Sequence, residues 1–200
     1  MGIGGNIGAG KTTVANELKR LFLEYKIPVK IIAADKIAWQ LYQNQNMPVF
    51  KQIVKKFGEE ILTKNKTIDR KKLAKVVFTN QAKLKLLNQI IQRPLLKRLK
   101  KALSESVAQV TILDAALLFD WGKQIPLTHR ILVTAPQKQK ITRMTKKHFQ
   151  PADVKLRLKR QMSEAEMKKN ADFVIANNRT ISELKNKVKR VFQKLLNSTK

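Results

Sequence analysis

An α/β fold, an open parallel sheet of about five strands with helices on both faces, is predicted by three features of this 200-residue chain. Short apolar runs alternate with longer stretches of helical periodicity, the pattern of βαβ units. A glycine-rich segment near the amino end is followed at once by amphipathic helix. Two of the apolar runs lead into aspartates, Asp35 and Asp114, at the carboxyl ends of strands where ligands lie in such sheets.

Met1 to Ile3 is all that precedes the glycine-rich segment, so the first strand is a stub or begins further upstream. Thr13 to Phe22 is good helix. Val29-Lys30-Ile31-Ile32-Ala33 is β-branched and reads as a buried parallel strand. From Lys36 to about Leu103 successive helices are expected. Pro48 opens one that Gly58 closes. Asp69 is placed as an N-cap, with Ile68 and Leu73 as a hydrophobic staple. Asn80 caps the next, whose stripe is Leu84, Leu87, Ile90 and Ile91, and Pro94 starts another. Val110 to Asp114, Arg130 to Thr134 and Phe173 to Ala176 are further strands. Pro151 begins a basic helix running to about Lys169. Thr180 and Glu183 form a capping box for a last helix with the stripe Ile181, Leu184, Val188, Val191 and Leu195.

Composition narrows the function classes. The chain is 43% apolar and 28% charged, the balance of a globular protein rather than a disordered one. No apolar run reaches the roughly 18 residues of a membrane-spanning helix, and the start lacks the basic and apolar regions of a secretory signal; a soluble, cytoplasmic protein is expected. With no cysteine there is neither a disulfide framework nor a thiolate metal site. His129 and His148 are far apart and unsupported as metal ligands. Lys and Arg number 42 against 14 Asp and Glu, a formal charge of +28. Such a field attracts polyanions without specificity. Dedicated nucleic-acid binding is not expected, because the cations are scattered and no recognition motif accompanies them.

Gly5-Asn6-Ile7-Gly8-Ala9-Gly10-Lys11-Thr12 fits the pattern G-x-x-x-x-G-K-(S/T). Wrapping phosphate oxygens with several backbone N–H groups requires a tight curl that side chains would obstruct. Lys11 supplies a cation to the β- and γ-phosphates of ATP, and the Thr12 hydroxyl is a ligand for Mg²⁺. Thr13 opens the helix whose N-terminus faces the phosphates.

Phosphoryl transfer to a hydroxyl needs a group that takes or orients the hydroxyl proton. Asp35 is the candidate base, since it comes after the strand next along the chain from the phosphate loop; a helix N-cap role is the other reading. Asp114 ends an apolar run as a Walker-B carboxylate does and is placed on Mg²⁺, directly or through water; a structural role at the strand end stands beside that. Cations brought in after the nucleotide binds would exclude water. Arg143, Lys146 and Lys147 ahead of the Pro151 helix, and Arg157 and Arg160 on it, are candidates, with Arg143 and Lys147 spaced to share a helix face.

With these residues in hand, the chain resembles the dephospho-CoA kinase family of the P-loop kinases from Gly2 to about Asn178. The resemblance rests on the phosphate loop, on Ala33-Ala34-Asp35, Phe57-Gly58, Asp69-Arg70-Lys71-Lys72-Leu73, Leu87-Asn88-Gln89-Ile90 and Leu117-Leu118-Phe119. Arg157-Leu158-Lys159-Arg160-Gln161-Met162 and Ala171-Asp172-Phe173-Val174-Ile175-Ala176-Asn177-Asn178 complete the ordered set. It implies a single P-loop kinase domain over residues 1–200, with a helical CoA-binding region at about 36–104 and a short lid at about 143–162. It implies ATP with Mg²⁺, and Asp35 as base toward the ribose 3′-hydroxyl of dephospho-CoA. Lys11, Arg143, Lys147 and Arg157 would handle the phosphates, and Asn177 would lie near the adenine. Arg70, Arg93, Leu117 and Gln161 would meet the acceptor. The chain differs from the family pattern at Ala33, Arg93, Ala116, Asp120 and Lys147. The loop also resembles that of deoxynucleoside kinases, but Asp114-Ala115-Ala116 stands where those have Asp/Glu-Arg-Ser.

Overall fold

The computed structural model describes residues 1–197. Two compact units emerge, one of Met1–Ala33 with Leu103–Lys200, the other of Ala34–Ala102. The first holds a five-stranded sheet, among the described residues, in the order β2-β3-β1-β4-β5. The strands are β1 (Gly2–Gly4), β2 (Val29–Ala33), β3 (Val110–Asp114), β4 (Arg130–Thr134) and β5 (Phe173–Ala176). Every pairing is parallel, so all carboxyl ends open on one edge.

The stub β1 is the central strand. Its three residues are held from both sides: Leu113 N donates to Met1 O at 2.9 Å, Ala115 N to Ile3 O at 3.0 Å, and Gly2 N to His129 O at 2.8 Å. Ile3 is fully buried. Short as it is, β1 is bonded on both edges.

The helix α1 (Lys11–Glu24) packs with α9 (Ile181–Asn197) on the sheet, α1 against β1, β2 and β3 and α9 against β5. Val14, Leu18, Leu21 and Phe22 meet Leu184, Val188, Phe192 and Leu195 there. Ile181, counted in the stripe of α9 by its spacing, is 59% exposed, at the first residue of the helix. The predicted capping box there is half made: Glu183 N donates to Thr180 Oγ1, while the Glu183 carboxylate turns to Arg179.

The segment after β4 also departs from expectation. Helix α6 (Gln137–Thr145) ends before Lys147, so Arg143 and Lys147 share no helix face. The Pro151 helix stops early as α7 (Pro151–Arg160). A Ser163–Glu166 capping box, both bonds present, starts a separate α8 (Glu164–Lys169). Reciprocal satisfaction of two end donors makes a fresh helix start better there than continuation.

The second unit is helical: α2 (Ala34–Gln43), α3 (Pro48–Phe57), α4 (Arg70–Phe78) and α5 (Gln81–Ser104), the last running on past Ala102. Pro48 and Gly58 bound α3 as expected. Asp69 caps α4, its side chain accepting from Lys71 N and Lys72 N, and those bonds hold its carboxyl below the usual value. Asn80 accepts from Ala82 N and Lys83 N at the start of α5. Phe50, Ile53, Phe57, Ile61, Ile68 and Leu73 form the core of this unit, with Ile68 and Leu73 placed as the staple requires. Pro94 does not begin a helix but lies inside α5; the helix forgoes one N–H and continues, because Leu87, Leu95, Leu96 and Leu99 around it are buried. Asp35 is not an N-cap but stands in the first turn of α2, where a carboxylate complements the helix dipole.

Candidate active site

Beyond the carboxyl end of β1, residues 5–10 curl back and enter α1 through Gly10 at φ +102°. Gly8, at φ +74°, has no room for a side chain: a Cβ would lie 2.6 Å from the Lys140 carbonyl oxygen. No side chain caps α1 and its first turn holds no acid. Its leading N–H groups and positive dipole end are therefore free of any acidic side chain of their own helix, the arrangement that binds an anion. Lys11 Nζ reaches back to Gly5 O at 3.0 Å and Asn6 O at 3.2 Å, which lays its ammonium along the loop.

The loop is braced from outside. Asn177, 7% exposed, donates from Nδ2 to Ala9 O at 2.8 Å. Arg143 Nη1 donates to Gly8 O and Ala9 O at 3.3 and 3.4 Å, and its Nη2 to Asn177 O, Asn177 Oδ1 and Gln139 Oε1. With the Ala9 carbonyl drawn outward, the trans peptide turns the Gly10 N–H the opposite way. On the other flank Ile7 N donates to Gln161 Oε1 at 2.9 Å, and Asn6 Nδ2 to Met162 O at 3.1 Å.

Thr12 Oγ1 donates to Asp114 Oδ2 at 2.7 Å. The two lie together because β3 runs beside β1 and ends at Asp114, level with Ala33 of β2 across the ladder. They offer a hydroxyl and a carboxylate, hard oxygen donors suited to Mg²⁺, which takes one or two protein oxygens and fills its shell with phosphates and water. No group of three or more His, Cys, Asp or Glu side chains that could hold a metal occurs among the described residues.

Arg143 grips loop carbonyls and Asn177, and burial draws its guanidinium pKa down, though arginine stays charged. Asn177 is likewise spent on the loop and on Arg143. Gln161 meets the phosphate loop through Ile7. Lys147 is exposed beyond α6, and Leu117 is half-buried in the turn after β3. Arg157, its pKa also lowered by burial against the opposing pull of Asp153, sits over the Phe149 ring at 5.0 Å.

Within the helical unit, Asp35 and Tyr42 lie seven apart on α2 and interact with each other. Burial is the main cause that raises the Tyr42 phenol; the charge of Arg70 and its hydrogen bond pull the other way, while the charge of Asp35 adds to the rise. Arg70 Cζ stands 4.5 Å over the Trp39 ring, whose centroid is 5.0 Å from that of Tyr42. Arg93 is exposed on α5. Trp39 and Tyr42 were not singled out from sequence; positions 35, 39 and 42 recur at helical spacing and were the available signal. Also unforeseen is the ion pair of buried Lys140 with Glu164 at 2.7 Å, joining residues of α6 and α8 that no sequence spacing links. It borders a cavity of about 500 Å³ lined by Asn6, Lys155, Lys159 and Met162 among others.

A family model described as dephospho-CoA kinase matches residues 1–183. The chain is 36% identical to the dephospho-CoA kinase of Aquifex aeolicus over 197 residues, covering 98% of this chain and 96% of that protein. It is 35% identical to the dephospho-CoA kinase of Bacillus anthracis over 199 residues, covering 97% and 96%. A crystal structure of a Thermus thermophilus protein matches with TM-score 0.73 and 30% identity, covering 97% of this chain and 96% of that one. The dephospho-CoA kinase from Campylobacter jejuni matches with TM-score 0.61 at 22% identity, covering 100% and 98%. These likenesses, with the parallel sheet and glycine loop, identify the architecture as a P-loop kinase fold.

Proposed function

The chain belongs to the dephospho-CoA kinase family, and from that premise we propose that it transfers the γ-phosphoryl group of ATP to the ribose 3′-hydroxyl of dephospho-CoA, the last step of coenzyme A synthesis. The glycine loop and the N-terminus of α1 hold the phosphates, with Lys11 on the β- and γ-oxygens. Asp35 takes the proton as the 3′-oxygen bonds to the γ-phosphorus and the bond to the β-phosphate oxygen breaks, releasing ADP. Mg²⁺, when bound, neutralises charge on the β- and γ-oxygens. Thr12 and Asp114 are the residues that would hold it. Arg143 and Asn177 keep the loop carbonyls outward, and Arg157 and Lys147 belong to a lid at about residues 143–162. The helical region at about 36–104 receives the CoA moiety. Arg70, set by Trp39 and Tyr42, supplies a cation for its phosphates, and Arg93 and Leu117 are further contacts.

The observation that carries the reading is the Thr12–Asp114 hydrogen bond beside an uncapped helix N-terminus. Parallel assays with Mg²⁺ and ATP test it, using dephospho-CoA, a panel of deoxynucleosides and no acceptor. Turnover with dephospho-CoA alone is expected; turnover with deoxynucleosides alone would overturn it. The deoxynucleoside alternative is not favoured. No helix among the described residues is long and apolar enough to cross a membrane, and a cytoplasmic site of action fits the use of ATP. The charge of +28 supports salt-sensitive, non-specific attraction to polyanions as a side property.

A further inference from the structure

Between α7 and α8 the chain passes through two extended residues, Gln161 at φ −80° and ψ 154° and Ser163 at φ −67° and ψ 149°. The α8 side of this joint is anchored: Met167 is 1% exposed, the Ser163–Glu166 box fixes the start of α8, and Glu164 pairs with buried Lys140. On the α7 side Val154 is buried, while Lys155 and Lys159 border the open cavity. The joint itself is tied to the phosphate loop by two bonds, and in both the loop donates. Gln161 accepts from Ile7 N–H, and Asn6 of the loop donates to Met162 O. One turn before, Gln161 N donates to Arg157 O at 3.1 Å, and Arg157 lies over Phe149.

We propose that Gln161 is a positioning residue: with Asn6 it clips the α7–α8 joint to the phosphate loop, so that a nucleotide seated in the loop also sets α7 and its Arg157. This rests on the assignment of residues 143–162 as a lid. A ligand shifts a mobile element only through contacts that differ between its positions. Phosphates that stiffen residues 5–10 stiffen the Ile7 N–H and the Asn6 side chain, and through them the joint. A neutral amide suits the place, because it accepts from Ile7 N–H without bringing negative charge toward bound phosphates.

The test reads α7 directly and needs no acceptor. Lys146, Lys147, Lys155 and Lys159 are exposed, so limited trypsin digestion of the full chain reports opening of this segment. In the unsubstituted protein ADP with Mg²⁺ is expected to slow cleavage about tenfold, since proteolysis tracks the population of the open form. Gln161→Met keeps length and loses the acceptor oxygen. ADP is expected to bind it within about threefold of the parent by calorimetry, with protection falling below about twofold. Full protection in Gln161→Met would overturn the proposal. So would loss of ADP binding at an unchanged melting temperature, which would make Gln161 a nucleotide ligand instead. Gln161→Leu also removes the acceptor oxygen and is read the same way, so one variant that fails to fold does not leave the matter open. Turnover of dephospho-CoA by the parent is measured separately; its absence would sink the acceptor assignment and leave the clip standing.

Discussion

Thr12 Oγ1 and Asp114 Oδ2 lie 2.7 Å apart, joining the first turn of α1 to the end of β3. Asp114→Asn keeps the shape of that contact and removes the charge offered to Mg²⁺. Its kcat is expected to fall about 100-fold, the half-saturating Mg²⁺ concentration to rise, and the melting temperature to hold. Steady-state assays across a Mg²⁺ titration check this; an unchanged Mg²⁺ requirement would remove Asp114 from the metal site.

Asp35 and Lys11 should separate chemistry from binding. Asp35→Asn is expected to lower kcat by about 10²–10⁴-fold, the usual contribution of a positioned general base, with ADP affinity unchanged. Lys11→Ala should lower both nucleotide affinity and turnover. Calorimetry with ADP beside turnover assays distinguishes the two, and full activity in Asp35→Asn would rule it out as base.

Asn177 spends its side chain on Ala9 O and on Arg143. Asn177→Ala removes one hydrogen bond to Ala9 O and one from Arg143, which both keep other partners, at about 0.5–1.5 kcal/mol each. A lower melting temperature and a raised KM for ATP are expected together; thermal melts measure the first and steady-state assays across an ATP titration the second. A melting temperature equal to the parent's would show that the bracket carries no stability.

The cap of α4 gives a pH signature. Its bonds from Lys72 N and Lys71 N hold the Asp69 carboxyl below its ordinary value. A depressed acid stabilises the fold above its unfolded pKa, about 3.9, and that contribution fades as pH falls through the folded value. Asp69→Ala should therefore lower the melting temperature more at pH 7 than near pH 2. Equal losses at both would disconnect the cap from the carboxylate charge.

Phe192 is 1% exposed, edge-on to Phe22 at 4.9 Å and to Tyr25 at 5.0 Å. Phe192→Ala should cost about 3–5 kcal/mol, a large share of a typical domain's stability. Denaturant melts check it; a loss below about 1 kcal/mol would mean that α9 adds little to the sheet's cover.

Short-range signals were legible in sequence wherever one segment decides its own structure. Asp69, Asn80, Pro48 and Gly58 bound helices as their chemistry dictates, and the strands from Val29, Val110, Arg130 and Phe173 stand where β-branched runs put them. Expectations failed where neighbours overrule local preference. Pro94 is carried through α5 by buried leucines on either side, and the Ser163–Glu166 box splits what looks like one basic helix.

The glycine loop, Lys11, Thr12 and the order of strands and helices were determined by the chain's own residues, because curl, capping and periodicity act over a few positions. Which side chains face that loop was decided only by the tertiary structure. Arg143, Gln161 and Asn177 lie more than a hundred residues from the loop positions they touch. They arrive there because β4 pairs directly with β1, with β5 outside it, and so delivers the segments after each strand to the loop's outer edge. A strand's partners depend on which burial the whole chain can achieve, and that is not written in any short stretch of it.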